Sequence, residues 1–131
     1  MNPESILVDS NVFIDLMRKR LDPTRVLLNR YESTDLVTCG VVKAEVLRGV
    51  KGMKARDSLE SFFSIMRFSD LTSTAWDEIW ELAWQLDRKG HVLPLTDIAI
   101  ANCALRSGAW VMTSDSHFHK IPNLKIISPE F

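Results

Sequence analysis

The stretch Ser5-Ile6-Leu7-Val8-Asp9-Ser10-Asn11 decides how the chain begins to fold. Its apolar half, residues 5–8, predicts a short buried strand. Asp9, Ser10 and Asn11 then offer capping side chains to a helix expected to start near Val12, so the chain turns from strand to helix at Asp9. A carboxylate beside a buried apolar run is costly unless another group uses it. Asp9 is therefore the first candidate for a functional residue.

Glu45 occupies a comparable place after a second strand. Residues 35–38 predict that strand, and residues 42–48 predict a helix that follows it and ends near Gly49 or Gly52. The neighbours of Glu45 in this helix are apolar, so capping does not explain a glutamate there. A buried, unpaired carboxylate would be expensive, which makes Glu45 a second candidate.

Two aspartates complete the set. Thr96 is expected to cap a helix that ends at Gly108, which puts Asp97 in the first helical turn. Residues 110–113 predict a fourth strand, with Asp115 just beyond its carboxyl end. Taken alone, each aspartate is explained by capping or by the helix dipole. If the four acids were only independent caps, however, there would be no reason for all of them to lie at one edge of a sheet.

The remaining segments continue an alternation of strands and helices. Helices are expected from Asp22-Pro23 to about Glu32, from about Lys54, and from Thr72 to Gly90, with short strands at 67–70 and 124–127. Two sets of residues at helical spacing are assigned to the core: Leu59, Phe62, Phe63 and Met66, and Trp76, Ile79, Trp80 and Ala83. Apolar residues beyond what one small domain can cover would mark a partner surface.

This order predicts an α/β fold. Strands separated by helices favour a parallel sheet of four to five strands with helices on both faces, a Rossmann-like three-layer sandwich. The 131 residues are expected to form one domain, 1–131. In such a sheet the ligand crevice lies outside the carboxyl ends of the strands. We therefore expect Asp9, Glu45, Asp97 and Asp115 to meet there.

Four carboxylates that lie close together must be neutralised by protons or cations. Each close pair repels by roughly 4 kcal/mol at an effective dielectric of 20. Oxygen ligands select Mg²⁺ or Mn²⁺ over zinc, and no histidine pair has zinc spacing. Asn11, Thr113 and Ser114 are expected to orient the carboxylates or to bind metal-bound water. His117 and His119 are instead assigned to the surface or to packing.

The charge balance allows a nucleic-acid partner. The net charge is −1, from 16 basic and 17 acidic residues, but without the four acids the rest of the chain has 16 basic against 13 acidic residues, a balance of +3. A basic group follows Glu45 and is a candidate clamp for nucleic-acid phosphates. Its members are Arg48, Lys51, Lys54 and Arg56.

Cysteine usage and hydropathy predict a protein of the cytoplasm. Cys39 and Cys103 lack a C-x-x-C partner and are expected to be small buried thiols. No apolar run approaches the roughly 18 to 20 residues of a membrane span, and Met1-Asn2-Pro3-Glu4 lacks the basic start of a secretory signal.

Four motifs, in order, resemble a known family. They are Leu-Val-Asp-Ser-Asn-Val-Phe-Ile-Asp at 7–15, Ala-Glu-Val-Leu-Arg-Gly at 44–49, Leu-Thr-Asp-Ile-Ala-Ile-Ala at 95–101 and Thr-Ser-Asp-Ser-His-Phe at 113–118. Together they resemble the PIN-domain ribonucleases, and motif order and length look most like the VapC toxins of bacterial and archaeal toxin-antitoxin pairs. Any one motif is weak, whereas four at these spacings are specific.

The resemblance implies an endoribonuclease toxin that inhibits translation and growth. Asp9, Glu45, Asp97 and Asp115 would hold one or two Mg²⁺ or Mn²⁺ ions, and a metal-activated water would attack phosphorus. It further implies cleavage of tRNA or ribosomal RNA, a homodimer, and a small antitoxin whose tail enters the active site. The resemblance does not identify which residues determine the RNA that is cleaved.

Other interpretations remain open. A housekeeping RNA-processing nuclease of the same fold would have an identical active site. A PIN-like domain that only binds RNA or protein would be expected to lose the acids, which are all present. A phosphatase of the haloacid-dehalogenase type is argued against, because it needs a second aspartate two residues after the first and Asn11 stands at that position.

Overall fold

The structure, a computed structural model, describes residues 3–131. Within them the strands are β1 (Ile6–Val8), β2 (Leu36–Cys39), β3 (Arg67–Ser69), β4 (Trp110–Met112) and β5 (Ile126–Ile127). The α-helices are α1 (Ser10–Arg18), α2 (Pro23–Leu28), α3 (Gly40–Arg48), α4 (Met53–Ile65), α5 (Ser73–Arg88) and α6 (Leu95–Ser107). Short 3₁₀ helices span Ser33–Asp35 and Ser116–Lys120.

The five strands form one parallel sheet in the order β3-β2-β1-β4-β5. The chain builds outward from β1 through β2 to β3, then crosses to place β4 on the other side of β1. Every residue of β1 and β2 is buried. Because strand side chains alternate between faces, helices cover both sides of these strands. The predicted α/β class is confirmed, and the strand order reverses between β1 and β4.

The turn at Asp9 forms as predicted, and α1 begins slightly earlier than expected. The Asp9 side chain accepts a hydrogen bond from the Ser10 N–H at 2.8 Å and caps the helix at once, so α1 starts at Ser10 rather than near Val12. The Asp9 N–H bonds to the Met112 carbonyl at 2.9 Å, which continues the β1–β4 ladder through the turn.

Helix α2 is shorter than expected. It opens at Pro23 with Asp22 as the cap, as predicted, but it ends at Leu28 instead of about Glu32. Asn29 closes the helix, and Ser33–Asp35 form a 3₁₀ turn that leads into β2. Serine, threonine and aspartate side chains compete for backbone hydrogen bonds and therefore favour turns over helix interiors.

The cap of α6 also differs from the predicted one. The helix starts at Leu95, and the carbonyl of Pro94 accepts the N–H groups of Asp97 at 3.0 Å and Ile98 at 3.3 Å. Thr96 lies inside the first turn, so the expectation that it caps the helix is wrong. Proline suits the extended position before a helix because its missing N–H is not needed there. Asp97 stays in the first turn, as predicted.

The two sets of apolar residues assigned to the core have different outcomes. Leu59, Phe62, Phe63 and Met66 are buried as predicted. In the second set Ile79 is buried and Ala83 partly buried, but Trp76 and Trp80 are 42% and 59% exposed, and Trp84 is 54% exposed. The buried side of helix α5 consists of Ala75, Ile79 and Leu86. Trp76 and Trp80 each follow a buried residue by one position, so they lie about 100° further round the helix. The helical periodicity did not show which of these two sides packs against the core. Trp76, Trp80 and Trp84 are called the tryptophan face below.

Cys39 and Cys103 are free and buried, as predicted. The Cys103 thiol donates a long hydrogen bond to the Ser69 carbonyl at 4.0 Å. Among the helices of residues 3–131, none is long and apolar enough to cross a membrane. Met1 and Asn2, on which the expectation of no secretory signal partly depends, lie outside the described residues.

Candidate metal centre

Asp9 is the buried member of the acidic cluster. It is only 4% exposed, and its two oxygens accept hydrogen bonds from the Ser10 N–H and the Thr113 hydroxyl, both at 2.8 Å. Burial raises the pKa of Asp9 to about 6 although these hydrogen bonds oppose the shift, and the negative charges of Asp97 and Glu45 raise it further. The carboxylate is thus held in position within a site that carries excess negative charge.

Glu45 reaches the same edge of the sheet from the second turn of α3. It is half-buried, and its Oε1 accepts a hydrogen bond from the Ser10 hydroxyl at 3.1 Å. Ser10 therefore holds Asp9 with its N–H and Glu45 with its side chain. From the sequence Ser10 was expected only to cap a helix, because nothing local relates it to a glutamate 35 positions away.

Asp97 and Asp115 form the other half of the cluster. Burial raises the pKa of Asp97, and the charge of Asp115 and then that of Glu45 raise it further. Asp115 is fixed by its own backbone, whose N–H donates to the Thr113 hydroxyl at 3.0 Å. All four predicted acids are therefore brought together outside the carboxyl ends of β1, β2 and β4, where the strand order reverses.

Thr113 organises the floor of the cluster. Its hydroxyl donates to Asp9 and accepts from the Asp115 N–H and from Asn11 Nδ2, the last at 3.2 Å. Asn11 therefore acts on Asp9 through Thr113. Its own Oδ1 is buried and has no hydrogen-bond partner among residues 3–131. Ser114 is placed differently: it is exposed and lines a groove beside Phe131.

His117, assigned from the sequence to the surface or to packing, lies beside Asp97 and Asp115. Its Nδ1 lies 3.3 Å from Asp115 Oδ1 and 3.8 Å from Asp97 Oδ2. One donor atom from each of Asp97, Asp115 and His117 lies within 4.8 Å of the others. The available signal was its position two residues after Asp115, at the start of a capped turn. His119 is exposed, in agreement with its assignment to the surface.

The donor set fits a hard divalent cation. Carboxylate oxygens are the ligands that Mg²⁺ and Mn²⁺ prefer. The raised pKa values of Asp9 and Asp97 reflect mutual repulsion as well as burial, and a cation would relieve that repulsion. The unpartnered Asn11 Oδ1 also fits a metal site, because it can accept a hydrogen bond from a metal-bound water.

The predicted basic residues lie on the surface beyond the cluster. Arg48, Lys51, Lys54 and Arg56 are all exposed. Arg48 is the last residue of α3, three positions after Glu45, and so lies near the same face of that helix. Arg56 is paired with Asp57 at 3.1 Å, which offsets part of its charge.

Comparisons with known proteins agree with this architecture. A family model described as PIN domain matches residues 6–124. The chain is 29% identical over 131 residues to Ribonuclease VapC4 of Mycobacterium tuberculosis, covering 98% of this chain and 99% of that protein. It is 25% identical over 124 residues to Ribonuclease VapC2 of Rickettsia felis, covering 90% and 92%.

Solved structures show the same fold. VapBC from Salmonella typhimurium bound to DNA superimposes with a TM-score of 0.78 at 22% identity, covering 95% of this chain and 97% of that one. VapBC2 from Rickettsia felis, bound to a DNA fragment from its promoter, gives 0.72 at 24% identity, covering 94% and 97%.

Proposed function

Because the chain belongs to the PIN-domain family, we propose that it is a divalent-metal-dependent endoribonuclease and the toxin of a toxin-antitoxin pair. One observation carries the proposal: Asp9, Glu45, Asp97 and Asp115, spread over 107 positions of sequence, converge at one edge of the sheet. The two curated relatives are both VapC ribonucleases and match along nearly their whole length. Nothing in the site favours a non-catalytic domain, since every acid is present.

The reaction is hydrolysis of an RNA phosphodiester. When bound, one or two Mg²⁺ ions, or Mn²⁺ in their place, would lower the pKa of the attacking water and stabilise charge on the leaving 3'-oxygen. The four acids would hold the cation, Thr113 and Ser10 orient the acids, and Asn11 Oδ1 can accept a hydrogen bond from water in the site. The water oxygen bonds to phosphorus as the bond to the 3'-oxygen breaks; the water loses a proton and the 3'-oxygen takes one up. The products carry a 5'-phosphate and a 3'-hydroxyl.

RNA binding requires positive charge beside the acids. We assign this role to Arg48, Lys51 and Lys54, and to a lesser extent to Arg56 because Asp57 already pairs with it. Contacts from such residues neutralise phosphates and give affinity without sequence preference. The substrate class is tRNA or ribosomal RNA, whose cleavage stops translation in the cytoplasm.

Two surfaces suit the protein partners. The groove between α1, α2 and α4 is lined mainly by apolar groups, among them Met17, Leu21 and Leu59, and suits an amphipathic segment of an antitoxin. The tryptophan face is a large exposed aromatic surface of the kind that marks protein interfaces, and we assign it to a second copy of the chain.

The test combines cleavage in vitro with growth in cells. Purified chain and end-labelled RNA should give Mg²⁺-dependent cuts with 5'-phosphate and 3'-hydroxyl ends, and Asp9→Asn should abolish them. Asp87→Asn, an exposed acid outside both the cluster and the basic group, is the matched control and should cleave normally. Cyclic or 3'-phosphate ends would contradict the mechanism.

Growth separates toxin from housekeeping nuclease. Expression of the wild-type chain should arrest growth, the neighbouring gene should relieve the arrest, and the Asp9→Asn protein should be harmless. RNA cleavage in vitro without growth arrest would favour the alternative, an RNA-processing nuclease with the same active site.

A further inference from the structure

We propose that His117 is a ligand of the metal centre through its Nδ1, so that the centre combines oxygen and nitrogen donors and prefers Mn²⁺ to Mg²⁺. The inference rests on the proposed function, since it assigns a further residue to the same site. It concerns which cation the centre selects.

The distances place the imidazole where a ligand belongs. Two ligands about 2.1 Å from one metal ion and at right angles are about 3.0 Å apart. The Nδ1 of His117 lies 3.3 Å from Asp115 Oδ1 and 3.8 Å from Asp97 Oδ2. Both distances exceed 3.0 Å by less than about 1 Å, a difference within the reach of side-chain rotation, and the three donor atoms lie within 4.8 Å of one another.

The backbone holds His117 in this position. Asp115 caps the 3₁₀ helix Ser116–Lys120 by accepting the His117 N–H at 2.9 Å, so the turn that carries Asp115 also carries the imidazole. The next residue, Phe118, is fully buried and anchors the turn in the core. His117 thus faces Asp97 and Asp115 through a fixed local geometry, whereas His119 on the same turn does not join the cluster.

A role restricted to hydrogen bonding is the competing explanation. In that role His117, whose Nδ1 lies 3.8 Å from Asp97 Oδ2, would be a positioning residue that orients this carboxylate. The two roles differ in one measurable respect. Only a ligand places nitrogen in direct contact with the bound ion.

The preference follows from ligand chemistry. Mg²⁺ demands hard oxygen ligands and keeps several waters. Imidazole nitrogen gains more from transition metals, and Mn²⁺ accepts it better than Mg²⁺ does. Wild-type protein should therefore favour Mn²⁺ over Mg²⁺ more strongly than a variant with only carboxylates does.

The experiment uses Mn²⁺ alone as the probe, with RNA absent. Pulsed electron paramagnetic resonance of Mn²⁺ bound to the purified chain should show coupling to a directly bound ¹⁴N. Calorimetric titrations with Mn²⁺ and with Mg²⁺ give the ratio of affinities. The variants are His117→Ala and His117→Gln, and His119→Ala is the matched control from the same turn.

We expect the ¹⁴N coupling to disappear in both His117 variants and to persist in His119→Ala. Mn²⁺ affinity should fall at least about tenfold in the His117 variants, as commonly seen when support for a metal site is removed, while Mg²⁺ affinity changes less. Bound Mn²⁺ without nitrogen coupling in the wild type would overturn the inference and leave the proposed function intact. Failure of the wild type to bind Mn²⁺ or Mg²⁺ would overturn both.

Discussion

The hydroxyl of Thr113 donates a hydrogen bond to Asp9 Oδ2 at 2.8 Å, across 104 residues of sequence. The same hydroxyl accepts the N–H of Asp115. Since Asp9 follows β1 and Asp115 follows β4, one oxygen atom links the carboxylate of Asp9 to the backbone of Asp115 at the ends of two neighbouring strands. The position of Asp9 therefore depends on the pairing of β1 with β4 as well as on its own turn.

Removing that hydroxyl should weaken metal binding. We expect Thr113→Val to lower Mg²⁺ affinity by roughly 10- to 100-fold, the usual effect of losing a group that orients a ligand, and Thr113→Ser to restore it. Isothermal titration with Mg²⁺ measures the effect. Thr38→Val is the matched control, because Thr38 is a buried threonine of β2 whose hydroxyl has no hydrogen-bond partner within residues 3–131. Equal affinities for the two valine variants would contradict the assigned role of Thr113.

Neutralising Asp9 should stabilise the metal-free protein. The pKa of Asp9 is about 6 in the folded state against 3.8 for the unfolded residue. The folded state therefore binds the proton more tightly, and stability is lost as pH rises from about 4 through 6. At neutral pH the ionised, buried carboxylate costs about 3 kcal/mol.

Asp9→Asn removes this cost but keeps only one of two accepted hydrogen bonds, worth about 1 kcal/mol each. In EDTA at pH 8 we expect a net gain of about 1 to 2 kcal/mol in the free energy of unfolding, measured with urea. The gain should vanish near pH 4, where Asp9 is protonated. Mg²⁺ should stabilise the wild type and leave the variant unchanged. A variant less stable than wild type at pH 8 would show that the acidic cluster is not strained in the empty protein.

RNA affinity should depend on salt through the exposed basic residues. In EDTA, which prevents cleavage, Arg48→Gln should weaken binding to bulk tRNA and reduce the slope of log affinity against log salt by about 0.7 to 0.9. Arg56→Gln should change the slope less, because Asp57 already pairs with Arg56. Filter binding at several salt concentrations gives the slopes. An unchanged slope for Arg48→Gln would remove that residue from the RNA contact.

The tryptophan face should control self-association. Trp80 is 59% exposed on α5, and Trp80→Lys places a charge at the centre of the three aromatic rings. We expect the variant to sediment as a monomer at concentrations where the wild type is a dimer. Ile65→Lys is the control, an apolar residue 52% exposed on α4. Dimers of unchanged affinity in the Trp80 variant would place the interface elsewhere.

Local signals predicted much of the fold. Asp9 and Gly108 stand where their chemistry favours a cap and a helix end, and the structure uses both in that way. Errors arose where two nearby residues can each occupy the cap position. Thr96 was expected to cap α6, but Pro94 takes that position. The exposed Trp76 and Trp80 show a second limit, because a helix with two apolar stripes does not encode which one will meet the core.

The sequence by itself determined the alternation of strands and helices and the four carboxylates at their ends, because capping, periodicity and the cost of a buried charge act over a few residues. Only the tertiary structure decided that Ser10 supports Glu45, that Thr113 supports Asp9, and that His117 joins Asp97. These contacts depend on β1 lying between β2 and β4. Strand order results from packing the whole sheet and its helices, so no short segment of the chain carries it.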